Sequence, residues 1–362
     1  MNEATRQCEK KRVLSGMRPT GRLHLGNYMG ALHNWVRLQS EYDCYFLVVD
    51  WHALTTDYAD TSQVSRNTME VALDWLAAGL DPEQCVLFVQ SQVRQHAELH
   101  LLLSMITPLG WLERVPTYKE QQLQIGDVEK GGKDLTTYGF LGYPLLMATD
   151  ILLYQADFVP VGQDQVVHVE FTREVARRFQ AFYAGPDSRP ILIEPQVLLA
   201  PSPKLPGTDG RKMSKSYGNA ILLTDPEPEV RQKLKTMVTD PARIRRSDPG
   251  DPDKCPVGDL HRIFSGAETL EKVYAGCRSA GIGCIECKSW LADRVVAHLE
   301  PIQQKRREYE SRPATVVEIL RRGSNLAANR AEETMEQVRE AMRLIRLDSS
   351  APRPPQSVEA LS

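Results

Sequence analysis

The chain is poor in the features that mark secreted proteins, membrane proteins and proteins with an extended nucleic-acid surface. Seven cysteines among 362 residues argue against a disulfide framework and for a reducing compartment. No stretch approaches the ~20 apolar residues of a membrane span, and the N-terminal sequence MNEATRQCEKKR lacks the apolar core of a signal peptide. A net charge of −3 leaves room only for local RNA contacts. We therefore expect a cytoplasmic protein without membrane contact.

What the chain does contain is the composition and length of a globular enzyme. Hydrophobic residues make up 42% and charged residues 25%, which are ordinary values for a folded protein. A chain of 362 residues usually forms two domains. We predict a first domain over residues 1–222, a second over residues 223–346, and a disordered tail over residues 347–362, which is rich in proline and poor in apolar side chains.

Apolar runs alternate with helical patterns through the first part of the chain. The runs predict buried parallel strands at Val13–Ser15, Cys44–Val49, Cys85–Val89 and Phe158–Val161. Helical patterns lie between them, and such alternation is typical of a doubly wound sheet. The predicted fold class is therefore α/β: a Rossmann-like doubly wound parallel sheet with a helical insertion over about residues 91–157, followed by an α-helical C-terminal domain.

Basic residues cluster at three places in the predicted helical domain. The clusters are Arg243/Arg245/Arg246, Lys305/Arg306/Arg307 and Arg321/Arg322. Acidic residues are about as frequent as basic ones in the same region, so the domain as a whole is not a basic surface. We interpret each cluster as a solvated helix face.

Two motifs at opposite ends of the α/β pattern carry most of the chemical information. The string KMSKS at Lys212–Ser216 would arise by chance at roughly one in three million positions. HLGN at His24–Asn27 is weak alone. Gly26 lies at a predicted helix start, where backbone N–H groups favour phosphate, and His24 can donate a hydrogen bond to it. The pair of motifs therefore indicates a nucleotide site.

Phosphoryl chemistry needs positioned cations rather than a covalent nucleophile. Lys212 and Lys215 flank Ser214 on a loop, so they can swing onto a phosphate chain, and Mg²⁺ would share that charge. A second polar motif, GQDQ at Gly162–Gln165, directly follows the fourth predicted strand. Its Asp164 can accept hydrogen bonds from ribose hydroxyls or cap the next helix, and both roles can hold at once.

The segment GYPLLMATDILLY, Gly142–Tyr154, predicts a helix with one polar face. Pro144 suits the first turn of a helix. Tyr143, Met147 and Asp150 stand at i, i+4 and i+7, which places them on one face. A simple core stripe would explain the leucines of this segment but not a buried carboxylate. We therefore interpret this face as the wall of a ligand site.

Together these motifs resemble those of the class I aminoacyl-tRNA synthetases, and the helix resembles the amino-acid-binding helix shared by their tryptophanyl and tyrosyl members. DWHALTT (Asp50–Thr56) and VPVGQDQ (Val159–Gln165) resemble the tryptophanyl group, and the resemblance runs from about Val13 to Leu347. It implies that tryptophan is activated with ATP and Mg²⁺, that pyrophosphate leaves, and that tryptophan passes to the 3′ end of tRNA(Trp). It also implies a homodimer with the 91–157 insertion at the interface.

The resemblance assigns roles to individual residues. The catalytic residues are His24, Lys212 and Lys215. The ATP contacts are Met17, Arg18, Thr20, Gly26, Asn27, Gly162, Asp164, Lys212, Met213, Ser214, Lys215 and Ser216. The tryptophan contacts are Tyr143 and Gln165 on the α-ammonium, Asp150 on the indole N–H, Met147 against the ring, and His52. Two positions depart from the family pattern: Asn27 stands where a second His is common, and Arg18 stands where many relatives have a polar amide.

Two alternatives remain open. Tyrosyl enzymes share the helix but usually carry Gln at the position of Met147, so tyrosine is the alternative amino acid. The other alternative is a non-catalytic paralogue that binds RNA or a protein partner. Such a paralogue would have no need of an intact His24, Lys212 and Lys215, which argues against it.

Four cysteines, Cys255, Cys277, Cys284 and Cys287, form the pattern C-x21-C-x6-C-x2-C in the predicted helical domain. Zinc sites more often contain two close pairs. Iron–sulfur clusters also use four thiolates, often with a proline after the distant Cys, as in Cys255-Pro256. The spacing resembles a [4Fe–4S] motif in a subset of bacterial tryptophanyl-tRNA synthetases, with the first gap one residue shorter. We predict a structural [4Fe–4S] cluster, with Zn²⁺ or four unligated thiols as the alternatives.

Overall fold

A five-stranded parallel sheet forms the centre of the molecule. It is seen in a computed structural model that describes residues 10–115, 134–185, 188–199 and 205–345, apart from the side chain of Asp164. The strands are β1 Arg12–Met17, β2 Asp43–Val48, β3 Cys85–Val89, β4 Phe158–Val161 and β5 Gln196–Leu199. Their order across the sheet is β3-β2-β1-β4-β5. The predicted tail over residues 347–362 lies outside the described residues.

Helices cover both faces of this sheet, as its apolar runs predict. Neighbouring residues of one strand enter different cores, because successive side chains of a strand point to opposite faces. Val13 and Phe46 pack into one hydrophobic cluster, whereas Leu14 and Leu47 pack into the other. The predicted doubly wound α/β fold class is confirmed.

Local signals in the sequence set several helix ends. The helix Val64–Ala78 ends at Gly79, whose φ of 114° is left-handed and favours glycine. Prolines occupy the first turns of the helices that begin at Tyr143, Glu227, Pro256 and Pro313. None of the helices in the described ranges is long and apolar enough to cross a membrane. The helices are α1 Leu25–Asn27, α2 His33–Glu41, α3 Asp50–Asp57, α4 Val64–Ala78, α5 Gln95–Ser104, α6 Leu109–Glu113, α7 Tyr138–Leu141, α8 Tyr143–Leu153, α9 Val166–Tyr183, α10 Glu227–Thr236, α11 Pro256–Phe264, α12 Ala267–Arg278, α13 Cys284–Glu310 and α14 Pro313–Ala341.

The helices after residue 223 pack directly against the α/β part. Helix α13 contacts α4, and α14 lies along β3. The approach of α14 is close, since a Cβ added to Gly323 would lie 1.9 Å from the backbone oxygen of Leu87. Both cores continue into these helices, one through Val295 and the other through Ala327. The helical character of this region is confirmed, while the division into two domains at residue 222 stays a prediction.

The strand order reverses between β1 and β4, which are neighbours in the sheet. Open α/β sheets bind ligands at such a switch point, beyond the carboxyl ends of the strands. The chain leaves β1 at Arg18 on its way to HLGN, and it leaves β4 at Gly162, the first residue of GQDQ. The fold therefore brings both motifs to the edge of the sheet where a ligand is expected.

Candidate active site

His24 caps the short helix α1 just beyond the carboxyl end of β1. Its Nδ1 accepts a hydrogen bond from the Asn27 N–H at 3.2 Å, and Asn27 Oδ1 accepts from the His24 N–H at 3.2 Å. Because Nδ1 accepts, a neutral ring carries its proton on Nε2 and keeps that nitrogen as a donor. A Cβ added to Gly26 would lie 2.8 Å from His24 Nδ1. Glycine is required here by the histidine ring itself, in addition to any ligand.

The charge state of His24 follows from its surroundings. Burial lowers its pKa, and the positive charges of Lys215 and Lys212 lower it further, to about 4. At neutral pH the ring is therefore uncharged and supplies a directed N–H without a net charge. The cationic part of phosphate binding must come from the two lysines.

The HLGN and KMSKS motifs meet in the structure, although almost the whole α/β region separates them in sequence. His24 pairs with Leu222 in an antiparallel bridge. Lys215 Nζ donates to the carbonyl oxygen of Thr20 at 2.5 Å and to that of Arg22 at 2.9 Å. Burial lowers the pKa of Lys215 from its usual range. The predicted association of the two loops is thus present in the fold.

Asn219, which sequence reasoning missed, shapes the KMSKS loop. Its Oδ1 accepts from the Ser214 N–H at 2.8 Å, and its Nδ2 donates to Asp209 Oδ1 at 2.7 Å and to the Lys212 carbonyl oxygen at 3.2 Å. The only sequence signal is an Asn just after a glycine. The loop exposes Lys212 and buries Met213 in the core. Met213 therefore helps to anchor the loop, and its predicted ATP contact remains a prediction.

The other predicted ATP contacts lie around the same edge of the sheet. Met17 ends β1, and the Ser216 hydroxyl lies on the loop surface, 2.8 Å from the Ser214 hydroxyl. Arg18 turns toward α3, where its Nη2 donates to Thr56 Oγ1 at 2.5 Å. The side chain of Asp164 lies outside the described part of the chain. The structure therefore leaves the predicted ribose contact of Asp164 a prediction.

A cavity of about 390 Å³ opens at the switch point, with Arg18 and Gly162 in its wall. This volume is in the range of small-molecule sites. All five residues predicted to contact tryptophan line it: His52, Tyr143, Met147, Asp150 and Gln165. Phe140, Ile151 and Val159 make part of the wall apolar. Helix α8 thus presents its predicted polar face to the cavity.

Asp150 is the most enclosed charged residue of this cavity, with 3% of its surface exposed. Its Oδ2 lies 3.0 Å from His52 Nε2, and its Oδ1 lies 2.7 Å from His96 Nδ1. Gln90 Nε2 donates to Oδ1 at 2.7 Å and is 3.0 Å from Oδ2. Burial alone would raise the pKa of Asp150, but electrostatic attraction to His96 and hydrogen bonds from the His52 and His96 rings outweigh it and lower the pKa below its usual range. The carboxylate is therefore ionised at neutral pH.

Gln90 and His96 are site residues that sequence reasoning missed. Gln90 follows β3 directly, and His96 lies in the first turn of α5. A polar residue after a buried strand is a weak signal on its own, and a single His in an apolar helical segment reads as a core residue. Their role became visible only through the three-dimensional contact with Asp150.

The four cysteines predicted to hold a cluster converge near the start of α13. Cys255 precedes α11, Cys277 lies near the end of α12, and Cys284 and Cys287 lie in the first turn of α13. Burial and the neighbouring charges of the other three sulfurs raise the pKa of Cys287 to about 12. Among the described residues, however, no three or more His, Cys, Asp or Glu side chains are placed so that they could hold a metal ion. The metal site stays a prediction.

Polar groups lie beside two of these sulfurs. Arg243 Nη1 lies 3.9 Å from Cys277 Sγ, and a Cβ added to Gly250 would lie 2.8 Å from the same sulfur. His261 Nε2 lies 3.4 Å from Cys287 Sγ. Arg243 lowers the pKa of Cys277, but burial outweighs it and raises that pKa above its usual range. Cys277 and Cys287 are therefore thiols at neutral pH, and a metal would have to displace their protons.

Comparisons with known proteins agree with this geometry. The family model described as tRNA synthetases class I (W and Y) matches residues 6–300. Tryptophan–tRNA ligase of Ralstonia nicotianae is 48% identical, over 92% of this chain and 98% of that protein. Tryptophan–tRNA ligase of Thermotoga maritima is 50% identical, over 92% of this chain and 99% of that protein.

Solved structures point the same way. Tryptophanyl-tRNA synthetase from Campylobacter jejuni, complexed with ADP and tryptophan, is similar with a TM-score of 0.80 and 32% identity, over 92% of this chain and all of that one (100%). A tyrosyl-tRNA synthetase from Archaeoglobus fulgidus is similar at a TM-score of 0.61 but only 21% identity, which indicates a shared fold alone. The matched family model and the near full-length relatives show that this chain belongs to the class I tRNA synthetases of the tryptophanyl and tyrosyl family.

Proposed function

We propose that the chain is a tryptophan–tRNA ligase, which forms tryptophanyl-adenylate and pyrophosphate from tryptophan and ATP and then transfers tryptophan to the 3′ end of tRNA(Trp). The observation that carries the proposal is the ionised Asp150 in the wall of a cavity at the switch point of the sheet. Indole N–H is a donor only, so a carboxylate that can only accept is its matching partner. Curated relatives that cover nearly the whole chain, all tryptophan–tRNA ligases, support the same assignment.

Each of the remaining cavity residues contacts a different part of the tryptophan. Tyr143 and Gln165 hold the α-ammonium group, and Met147 presents its thioether to the indole face, a favourable contact for sulfur. His52 touches both the cavity and Asp150, so it closes the site beside the indole N–H. The carboxylate of tryptophan then points toward the loops that hold ATP.

Activation joins that carboxylate to the α-phosphorus of ATP and expels pyrophosphate. Negative charge builds up on the phosphoryl oxygens and on the leaving group, and positioned cations stabilise it. Lys212 and Lys215 supply this charge together with Mg²⁺, while neutral His24 donates from Nε2. Gly162 and Asp164 contact the ribose of the nucleotide. The remaining proposed ATP contacts are Met17, Thr20, Gly26, Asn27, Met213, Ser214 and Ser216.

Pyrophosphate exchange tests the amino-acid assignment. Tryptophan should drive exchange of labelled pyrophosphate into ATP, and tyrosine should not. Asp150→Asn should weaken tryptophan binding by at least tenfold, since a buried acceptor is replaced by a group that also donates. Asp293→Asn, at an exposed carboxylate of α13, is the matched control and should behave as wild type. Exchange with tyrosine alone would favour the tyrosyl alternative.

We also propose that Cys255, Cys277, Cys284 and Cys287 hold a [4Fe–4S] cluster, with Zn²⁺ as the alternative metal. The spacing of the four cysteines in the sequence and the cation Arg243 beside Cys277 support it. When bound, the cluster would supply structural cross-linking of α11, α12 and α13 rather than chemistry on the substrate. Anaerobically purified protein should be brown and contain about four irons per chain. Cys287→Ser should lose the iron, whereas Cys85→Ser, a buried thiol of β3, should keep it.

The chain is further proposed to act as a cytoplasmic homodimer on its tRNA. The six described cysteines are free, as expected in a reducing compartment. Large apolar side chains are exposed directly after α5 and on α6 and α7, with Met105 68%, Leu109 63% and Tyr138 64% exposed. A partner subunit would cover them. Leu109→Asp should shift sedimentation from dimer to monomer. Val317→Asp, at an exposed apolar position of α14, should leave the dimer intact.

A further inference from the structure

We propose that His96 and Tyr154 are positioning residues for amino-acid selection: together they hold Asp150 as a pure hydrogen-bond acceptor for the ring N–H of the substrate. The inference rests on the proposed function, since it concerns how tryptophan is chosen. Neither residue lines the substrate cavity. Both would therefore act through Asp150 rather than on the substrate.

The three side chains form a hydrogen-bonded chain inside the core. Asp150 Oδ1 lies 2.7 Å from His96 Nδ1, and His96 Nε2 lies 2.8 Å from the Tyr154 hydroxyl. His96 and Tyr154 are both fully buried, at 0% exposure. Buried polar groups need partners, and every polar atom of the His96 ring and of the Tyr154 side chain finds one within this chain of contacts.

The direction of the hydrogen bonds follows from the number of donors. The Tyr154 hydroxyl has one proton, and His96 Nε2 is its hydrogen-bond partner. If the phenol donates to Nε2, that nitrogen is unprotonated and the ring proton sits on Nδ1, where it points at Asp150. If the ring were doubly protonated, both ring nitrogens would donate, and the phenol proton would be buried without an acceptor. The satisfied arrangement is therefore Tyr154 O–H to Nε2 and Nδ1–H to Asp150.

This arrangement determines what Asp150 can offer the cavity. An ionised carboxylate has about four acceptor positions. His96 and Gln90 lie against Oδ1, while Gln90 and His52 lie against Oδ2. A donor in the cavity must therefore share an oxygen with one of these groups, and His52 is the one that also lines the cavity. A proton on Asp150 would compete with those donors, so the carboxylate is held ionised and cannot donate to the substrate.

Tyr154 is held rigidly enough to fix the His96 ring. Its own ring stacks on Tyr45 at 5.3 Å between centroids and meets Phe88 edge-on at 5.2 Å. Arg12 Nη1 donates to its backbone carbonyl oxygen at 2.8 Å. The end of α8 is thereby tied to β1, β2 and β3, and the hydroxyl is delivered to one place. Small movements of the phenol are transmitted to Asp150 through a single imidazole.

The test compares tryptophan with β-(3-benzothienyl)alanine, in which sulfur replaces the indole N–H. Pyrophosphate exchange gives kcat/KM for each amino acid, and their ratio measures recognition of the N–H. Tyr154→Phe should lower this ratio by about tenfold, because a loss of this size is typical when one hydrogen bond to a charged network is removed. The change should appear in KM for tryptophan, with kcat and KM for ATP nearly unchanged. Tyr45→Phe removes a hydroxyl from the same aromatic cluster and should leave the ratio as in wild type.

A double-variant cycle separates positioning from general loosening of the core. His96→Asn places an amide N–H near the position of Nδ1 but cannot reach Tyr154. In the His96→Asn background, Tyr154→Phe should change the ratio by less than about twofold, because the connecting ring is gone. An equal effect of Tyr154→Phe in both backgrounds would overturn the proposal, as would an unchanged ratio in a folded Tyr154→Phe protein.

The protonation of the His96 ring gives a readout in the wild-type protein that does not depend on kinetic measurements. In a long-range ¹⁵N–¹H spectrum of the wild-type protein, assigned with His96→Asn, the His96 ring should show a protonated Nδ1 and an unprotonated Nε2. A proton on Nε2 would refute the proposed direction. Failure of the wild-type protein to exchange with tryptophan would instead refute the proposed function and leave the tautomer to be read by the same spectrum.

Discussion

Lys215 Nζ lies 2.5 Å from the carbonyl oxygen of Thr20, so the second lysine of KMSKS rests on the loop that leads into HLGN. Its neighbours there are backbone oxygens, which are uncharged acceptors. A triphosphate would offer this ammonium group full negative charges in exchange. The resting contact is therefore one that ATP can displace while the lysine stays close to the same edge of the sheet.

Lys215→Ala should lower the single-turnover rate of adenylate formation by two orders of magnitude or more, about the cost of removing one preorganised donor from a developing anion. The affinity for tryptophan should change little, because Lys215 does not line the amino-acid cavity. Rapid-quench measurement of the first turnover and a tryptophan titration separate the two effects. Lys272→Ala removes an exposed lysine paired with Glu268 and serves as the control. An unchanged first-turnover rate in Lys215→Ala would remove this lysine from the mechanism.

His24 should make the protein less stable as the pH falls from about 6.5 toward 4. The unfolded chain takes up a proton on this ring near its ordinary pKa of about 6.5, whereas the folded protein does so only near 4. In that window the unfolded state binds more protons, so acid favours unfolding. His24→Asn retains a helix-capping side chain but has no such proton. Between pH 7 and pH 5, wild type should lose about 1 kcal/mol more stability than the variant, as measured by urea unfolding.

The sheet could be read from sequence wherever strands are buried on both faces. The runs at Cys44–Val49 and Cys85–Val89 are apolar throughout, and each coincides with a strand to within one residue. The edge strand at Gln196–Leu199 was not predicted, because its apolar run is only Val197–Leu199 and is short for a buried strand; none of its side chains is fully buried. Helix α3 was not predicted either, because its sequence, DWHALTTD, shows no clear apolar stripe.

The active site, like the sheet, could be predicted from the sequence only in part. Residues on one helix face, such as Tyr143, Met147 and Asp150, could be grouped by helical spacing. Contacts between different elements could not be predicted from spacing, and for this reason Asn219 and His96 were missed. The interpretation of basic clusters as solvated faces was wrong for Arg306 and Arg243, which are 3% and 9% exposed. Charge in the sequence does not reveal the partners that another part of the chain supplies, which are carboxylates of α4 for Arg306 and the carbonyl oxygen of Ile282 for Arg243.

Arg306 forms a buried ion-paired network between α13 and α4, and its loss should be costly. Its guanidinium contacts the carboxylates of Asp74 and Glu70. Arg306→Met would leave buried Asp74 without its cation and Glu70 with Arg22 alone, and the loss of one partner of a buried ion pair typically costs about 3–5 kcal/mol. Asp74 Oδ2 also accepts from the Leu23 N–H at 2.6 Å, directly before HLGN, so KM for ATP should rise as well.

Chemical unfolding and ATP-dependent exchange test both expectations for Arg306. Arg321→Met, at an exposed arginine that pairs with Glu318, should cost less than about 1 kcal/mol. Asp74→Asn combined with Arg306→Met should recover part of the lost stability, because the buried negative charge is removed with its partner. A double variant less stable than either single one would contradict the ion-pair explanation.

Gly323 allows α14 to lie against β3, and alanine at this position should separate the two. The added Cβ would lie 1.9 Å from the Leu87 backbone oxygen and 2.8 Å from its carbonyl carbon. These are backbone atoms of β3, which is held in the sheet by its pairing with β2, so neither can move aside as a flexible side chain would. Overpacking of this kind costs about 1–3 kcal/mol, even though alanine is the better helix former by roughly 0.5–1 kcal/mol.

Gly110→Ala provides the matched control, because Gly110 lies in α6 with no atom within 4 Å of the added Cβ. Thermal unfolding should give a lower Tm for Gly323→Ala and an equal or higher Tm for Gly110→Ala. If both substitutions raise the Tm, helix propensity dominates, and the close contact between α14 and β3 does not exist in solution.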